Sequence, residues 1–171
     1  MNPRYAIGVD TRETTLRAAD HLLRELAAGL DLPPDAFGCT HLVRGERPRV
    51  ALSFAVTSEE LSGAAREWLT DQGYAVSPGL PDAVGRAVLY PGARELTGPL
   101  TIADLLSRSA IDRVTVLGAP GPPPPERRIV TRDHVRPQWH DGELVLTAMP
   151  AAGGTLVPFE VPDPTPCCAD H

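Results

Sequence analysis

The sequence predicts an α+β fold whose first half has the β-α-β-β-α-β order of a ferredoxin-like unit. Apolar residues recur at helical spacing from Leu16 to Leu30, which is typical of an amphipathic helix over four turns. Apolar residues then alternate with small ones from Val50 to Val56, the period of a strand. Thr57-Ser58-Glu59-Glu60 has the form of a helix-capping sequence and precedes a second apolar face.

The chain is expected to open with a short strand from Tyr5 to Val9, followed by the first helix. That helix begins at Thr14 or Thr15, and Pro33-Pro34 prevents its continuation. Its polar residues are predicted to face solvent; they are Arg17, Asp20, His21, Arg24 and Glu25.

A strand from Phe37 to Val43 is expected to pair with the strand from Val50 to Val56. The second helix follows, and we expect Trp68 to be buried on its inner face. A closing strand from Tyr74 to Val76 completes the ferredoxin-like order.

The second half is expected to add an α-β unit and a small β-hairpin or meander with a proline-rich tail. Its elements are an apolar run from Ala87 to Tyr90, a helix from Thr101 to about Ser109, a strand from Val114 to Leu117, and a hairpin at Asp141-Gly142 leading into Leu144 to Met149. Pro122 to Pro125 is typical of a polyproline spacer. We assign residues 1–78 to the ferredoxin-like unit and 79–171 to the remainder, packed together as one compact domain.

The composition argues against a nucleic-acid-binding, a membrane-spanning or a secreted protein. The 171 residues carry 16 basic and 22 acidic side chains, a net charge of −6, so no nucleic-acid partner is expected. All of the basic residues are arginine, which suggests high-GC, bacterial coding. No apolar run reaches the ~18 residues of a membrane span, and the first residues do not resemble a signal peptide. Three cysteines do not make a disulfide framework, so we expect a cytosolic protein.

The C-terminal sequence Cys167-Cys168-Ala169-Asp170-His171 is the most unusual feature of the chain. Two thiolates and an imidazole within five residues suit a zinc or cuprous copper ion. Adjacent cysteines chelate less readily than a C-x-x-C pair, so the alternative of incidental thiols stays open. The same pair also admits a redox interpretation through a vicinal disulfide.

Cys39 and His41 form a second candidate pair. Residues i and i+2 of a strand share a face, so both side chains are predicted to project together. If the tail folds over that face, Cys39 and His41 complete a metal site with Cys167, Cys168 and His171. The competing interpretation places Cys39 in the core and His41 at the sheet edge in an ordinary hydrogen bond.

His134 and His140, with Asp133 and Asp141 beside them, admit acid–base pairing, because a carboxylate orients an imidazole. Turn chemistry explains His140-Asp141-Gly142 better, and His134 is expected in a loop.

Two functional classes follow. The first is a binding or accessory protein that docks a protein partner or a second copy through its sheet, with a zinc or copper ion at the tail. The alternative is a metal- or thiol-dependent enzyme that uses the same cysteines and histidine. The tail as a substrate of another protein is a third possibility.

Overall fold

A computed structural model describes residues 5–81 and 83–162. Within them the fold is mixed α+β, with three helices and one sheet of eleven strands. The helices are α1 (Leu16–Leu30), α2 (Glu59–Asp71) and α3 (Ile102–Arg108). The strands are β1 (Tyr5–Val9), β2 (Phe37–Val43), β3 (Arg49–Val56), β4 (Val76–Pro78), β5 (Arg86–Leu89), β6 (Pro99–Thr101), β7 (Arg113–Val116), β8 (Arg128–Val130), β9 (Gln138–His140), β10 (Glu143–Pro150) and β11 (Leu156–Pro158).

Local sequence signals fix the helix ends. The Thr15 hydroxyl accepts a hydrogen bond from the Ala18 amide at the start of α1, and Ser58 accepts one from Leu61 at the start of α2. Gly73, just past α2, has φ +92°, the left-handed conformation typical of a glycine that ends a helix.

The sheet is larger than the sequence predicted. Its order is β4-β1-β3-β2-β5-β9-β10-β11-β8-β6, and β7 pairs with β10 outside this path. The strands of the first half lie in the order β4-β1-β3-β2, each antiparallel to its neighbour. The apolar run after Gly85 becomes β5, which pairs with β2 and β9 and so joins the two halves in one sheet. The expected small hairpin or meander is therefore part of the same sheet as the first half.

The two faces of the first-half strands contact different cores. Leu23, Leu69, Ile7, Leu52 and Phe54 form the core between the helices and the sheet. The opposite face continues into a second core shared with the C-terminal half, whose members include Phe37, Cys39, Leu105, Ile129 and Leu144.

Several predicted details need correction. Trp68 is only partly buried; its ring lies against the backbone of Gly29 in α1, where an added Cβ would come within 2.6 Å of it. The closing strand is Val76–Pro78 rather than Tyr74 to Val76, because it pairs with β1 through Val76 to Pro78. Leu117 lies beyond β7 and is exposed.

The proline run is anchored at its C-terminal end. The amides of Ala103 and Arg127 donate hydrogen bonds to the carbonyls of Pro125 and Pro124, which ties the end of the run to α3 and to the start of β8. The predicted hairpin at Asp141-Gly142 is confirmed: it joins β9 to β10, with φ of +51° and +81° at the two turn residues.

Candidate functional site

A cleft of about 1230 Å³ lies between α1 and the chain that follows β11. Its charged lining comes from four parts of the chain. Helix α1 contributes Asp20 and Arg24, β5 contributes Arg86, the β8–β9 loop contributes His134 and Arg136, and the segment after β11 contributes Glu160.

Arg86 lies at the centre of a chain of charged groups on the floor of this cleft. Its side chain is 7% exposed, and all three guanidinium nitrogens have carboxylate partners. The two terminal nitrogens donate to the two oxygens of Asp20 at 2.6 and 3.1 Å. Nε donates to Glu160 Oε2 at 2.8 Å, and Nη2 also donates to Glu160 Oε1. With Thr40 Oγ1 as a further acceptor, Arg86 is fully coordinated.

The row of charged groups extends beyond Arg86 on both sides, through the carboxylates of Asp20 and Glu160. Arg136 Nε donates to Asp20 Oδ2 at 3.2 Å, and His134 Nε2 lies 3.0 Å from Glu160 Oε1. The order is therefore His134, Glu160, Arg86, Asp20, Arg136. We call these five residues the ionic chain. It connects helix α1 with strand β5 and with two segments of the C-terminal half.

The pKa values reflect this pairing. Burial alone would lower the pKa of Arg86, but the hydrogen bonds and charges of Glu160 and Asp20 outweigh it and raise that pKa. Burial would likewise raise the pKa of Glu160, whereas hydrogen bonds from Arg86 and His134 hold it below its usual value. Both groups are therefore charged at neutral pH.

Arg136 differs from Arg86. Burial lowers its pKa, the Asp20 carboxylate opposes that effect, and the positive charges of Arg86 and Arg24 lower the pKa further. Arg136 thus lies in surroundings where positive charges repel one another.

The described lining of the cleft is rich in arginine, although the protein is acidic. Among residues 5–81 and 83–162, the lining includes Arg17, Arg24, Arg86 and Arg136 together with three carboxylates, those of Asp20, Asp133 and Glu160. The chain as a whole has 22 acidic and 16 basic residues. The described lining of the cleft therefore contains more arginines than carboxylates, whereas the chain contains more acidic than basic residues.

The rim of the cleft is apolar. Phe159 is 58% exposed and Leu117 is 48% exposed, and both line the cleft together with Val161 and Pro162. Exposed apolar side chains at the mouth of a charged cleft offer a contact surface for the body of a bound molecule.

Cys39 and His41 do share a face of β2, as the sequence predicted. Both lie beside Gly85, where an added Cβ would be 3.3 Å from His41 Cε1 and 3.8 Å from Cys39 Cβ. Thr40 lies between them in β2, its side chain is on the other face of the strand, and its hydroxyl oxygen accepts a hydrogen bond from Arg86. Cys39 and His41 therefore lie on the sheet face opposite the ionic chain.

His41 is hydrogen-bonded through both ring nitrogens. Nε2 lies 2.7 Å from Ser53 Oγ and Nδ1 lies 3.1 Å from the Ala83 carbonyl, an arrangement that a neutral ring satisfies when Nδ1 donates and Nε2 accepts. Burial lowers the pKa of His41, against the effect of the Ala83 hydrogen bond. A serine beside a histidine is also a nucleophile–base arrangement, but His41 is 1% and Ser53 2% exposed, so no substrate reaches them in this conformation.

Cys39 is likewise protected. Burial raises the pKa of its thiol to about 12, although contacts with Trp139 and Ser53 act in the opposite direction. A thiol with that pKa is protonated at neutral pH and is neither a nucleophile nor a ready metal ligand.

Cys167, Cys168 and His171 lie outside the described residues. Within residues 5–81 and 83–162, no group of three or more histidine, cysteine, aspartate or glutamate side chains is arranged to hold a metal ion. In the same residues, no helix combines the length and apolarity that crossing a membrane requires.

The two histidines near the hairpin have different surroundings. His134 lines the cleft and contacts Glu160, so it belongs to the candidate site, whereas His140 is exposed at the end of β9. Asp133 accepts a hydrogen bond from the Gly98 amide, which is loop chemistry rather than pairing with His134.

Sequence reasoning missed most of this site. Asp20 was predicted to face solvent, yet it is 6% exposed. Arg86 adjoins an apolar strand, and Glu160 lies between Phe159 and Val161. A charge inside an apolar run is a usable signal, because a buried charge requires a partner of opposite sign. This pattern identifies candidate buried charges in the sequence, but it does not predict which of them form ion pairs with one another.

Comparison of the chain with family models, with curated proteins and with solved structures gave no match.

Proposed function

We propose that this is a binding protein whose cleft takes a small organic anion with an apolar body. The observation that carries the proposal is the group formed by Arg24, Arg86 and Arg136, whose positive charges act on one another in the cleft of a chain whose net charge is −6. The cleft is somewhat larger than the volume of about 300–1,000 Å³ that is usual for small-molecule sites, so a ligand of that size fits inside it.

The sign of the ligand charge follows from the arginines. The positive charges of Arg24 and Arg86 act on Arg136 against its own charge. An anion bound among them relieves this repulsion, whereas a cation adds to it.

The apolar body follows from the rim. Phe159 and Leu117 are more exposed than most side chains of their type, and covering them removes apolar surface from water. An inorganic ion satisfies the arginines but leaves this rim uncovered.

Binding fits the arginines better than acid–base catalysis does. A guanidinium keeps its proton throughout the accessible pH range, so Arg24, Arg86 and Arg136 orient an anion without transferring protons. The sequence-based alternative, a metal- or thiol-dependent enzyme, needs ligands from the C-terminal sequence.

Zinc or copper binding by Cys167, Cys168 and His171 stays a prediction. For Cys39 and His41 to join that site, His41 must give up a hydrogen bond and Cys39 must lose its proton. Elemental analysis of untagged protein tests the prediction, and less than about a tenth of an equivalent of either metal contradicts it.

We also propose that the first half is a ferredoxin-like unit. The strand order β4-β1-β3-β2 with antiparallel neighbours supports this assignment. A cytosolic location and a partner or second copy docked through the sheet stay predictions.

Calorimetric titration with hexanoate and with hexylammonium tests the anion proposal, because the two probes share an apolar body and differ in charge. We expect saturable binding of hexanoate only. Arg24→Glu reverses an exposed cleft charge and should weaken that binding about three- to thirtyfold. Removing an exposed ion pair with the ligand costs roughly 0.3–1 kcal/mol, and the repulsion that the new carboxylate introduces costs about as much again.

Arg47→Glu is the matched control, since Arg47 is exposed in the β2–β3 turn and does not line the cleft. It should leave hexanoate binding unchanged. Equal binding of the two probes, or equal effects of the two substitutions, contradicts the proposal.

A further inference from the structure

The Glu160 carboxylate has the position and contacts of a bound carboxylate ligand. It accepts hydrogen bonds from Nε and Nη2 of Arg86, contacts Nε2 of His134, and lines the cleft. Two parallel N–H donors facing two oxygens form the planar, bidentate geometry by which arginine recognises carboxylates.

The two carboxylates on Arg86 are held very differently. The Asp20 side chain is 8% exposed on helix α1 and accepts hydrogen bonds from two arginines, so moving it would leave both guanidinium groups without that carboxylate. Glu160 is 30% exposed and lies after the end of β11, outside any helix or strand. Of the two, Glu160 alone can leave Arg86 without disturbing a helix.

We propose that the ligand's anionic group is a carboxylate that takes the place of Glu160 on Arg86 and His134. This inference rests on the proposed function and names its ligand class. The exchange replaces one carboxylate by another on the same donors, so the charge and hydrogen bonds of the buried guanidinium are preserved.

Burial of the apolar rim by the ligand makes the exchange favourable. Phe159 precedes Glu160 directly and, like Leu117, is an exposed apolar residue of the cleft lining. Glu160 has the advantage of covalent attachment, which acts as a high effective concentration near its donors. An external carboxylate overcomes that advantage by covering the apolar rim, so a short carboxylate such as acetate binds more weakly than hexanoate.

The test compares hexanoate binding to the wild-type protein and to Glu160→Gln. The substitution removes the Glu160 carboxylate that competes with the ligand for Arg86, so we expect the affinity for hexanoate to rise at least about tenfold. Glu143→Gln is the matched control, since Glu143 pairs with Arg113 at the surface and lies outside the cleft. It should bind hexanoate as the wild type does.

The outcomes separate the two proposals. If the wild type binds hexanoate and Glu160→Gln binds it equally or more weakly, the exchange is wrong and the anion-binding function stands. If neither binds hexanoate, the proposed function itself fails.

A second variant covers the possibility that Glu160→Gln does not fold well. Glu160→Ala leaves Arg86 short of one carboxylate, and propionate should raise its melting temperature saturably and more than it raises that of the wild type, relative to chloride at the same ionic strength. An equal rise in both proteins overturns the exchange. An equal rise with inorganic phosphate overturns the assignment to carboxylates.

Discussion

Replacing Asp20 by alanine tests whether the ionic chain holds the two halves of the fold together. The substitution removes three hydrogen bonds, two from Arg86 and one from Arg136, and leaves two buried guanidinium groups short of a counter-charge. Breaking a buried ion pair by removing one partner costs about 3–5 kcal/mol. For a chain of 171 residues this corresponds to a fall in melting temperature of roughly 6–20 °C.

Urea unfolding followed by tryptophan fluorescence and circular dichroism measures the loss directly. Glu25→Ala is the control, because Glu25 lies on the same helix, is 62% exposed, and pairs only with His21 one turn away among the described residues. It should cost less than about 0.5 kcal/mol. A loss for Asp20→Ala below about 1 kcal/mol would refute the reasoning, since it would mean that Arg86 and Arg136 find water or other partners at little cost.

Three further predictions concern parts of the fold that do not line the cleft. Gly92 has φ +81°, and an added Cβ would lie 1.9 Å from the Arg108 carbonyl oxygen, so Gly92→Ala should destabilise the protein by about 2–4 kcal/mol. Gly142 has the same φ but open space around it, so Gly142→Ala should cost only about 1 kcal/mol, and equal losses in urea unfolding would contradict this. Because the pKa of folded His41 is below its unfolded value of 6.5, the unfolded chain binds the proton more readily, and the free energy of unfolding should fall as pH drops from about 6.5 to 5. His41→Asn should flatten this slope, and an unchanged slope would contradict the assignment of this pH dependence to His41. With the other two cysteines replaced by serine, Cys39 should react with a thiol reagent only as fast as the protein opens, and rapid reaction in the native state would show that it is accessible.

Local patterns predicted the regular elements of the first half well. Helix α1 and strands β1, β2 and β3 are near their expected positions, because each has a hydrophobic period long enough to identify it. Strand β5 was visible only as a short apolar run. Its pairing with β2 joins residues about fifty positions apart, and no local pattern specifies such a partner.

The candidate site was harder to predict for the same reason. Asp20 reads as a surface residue of an amphipathic helix until Arg86 and Arg136 are placed against it. The sequence directed attention to chemically conspicuous residues such as Cys39 and His41, and in the structure these are buried and hydrogen-bonded. Arginine and glutamate are common surface residues, so their role emerges only from burial and pairing.

Nuclear magnetic resonance of the arginine side chains tests the anion-binding cleft most directly. The Nε–H signals of Arg24 and Arg136 are recorded during titration with hexanoate and, separately, with hexylammonium. Anion binding in the cleft predicts saturable shifts of these signals with hexanoate, no comparable shifts with hexylammonium, and an unmoved Arg47 signal. Unchanged Arg24 and Arg136 signals at saturating hexanoate, or equal shifts with the cationic probe, would contradict it.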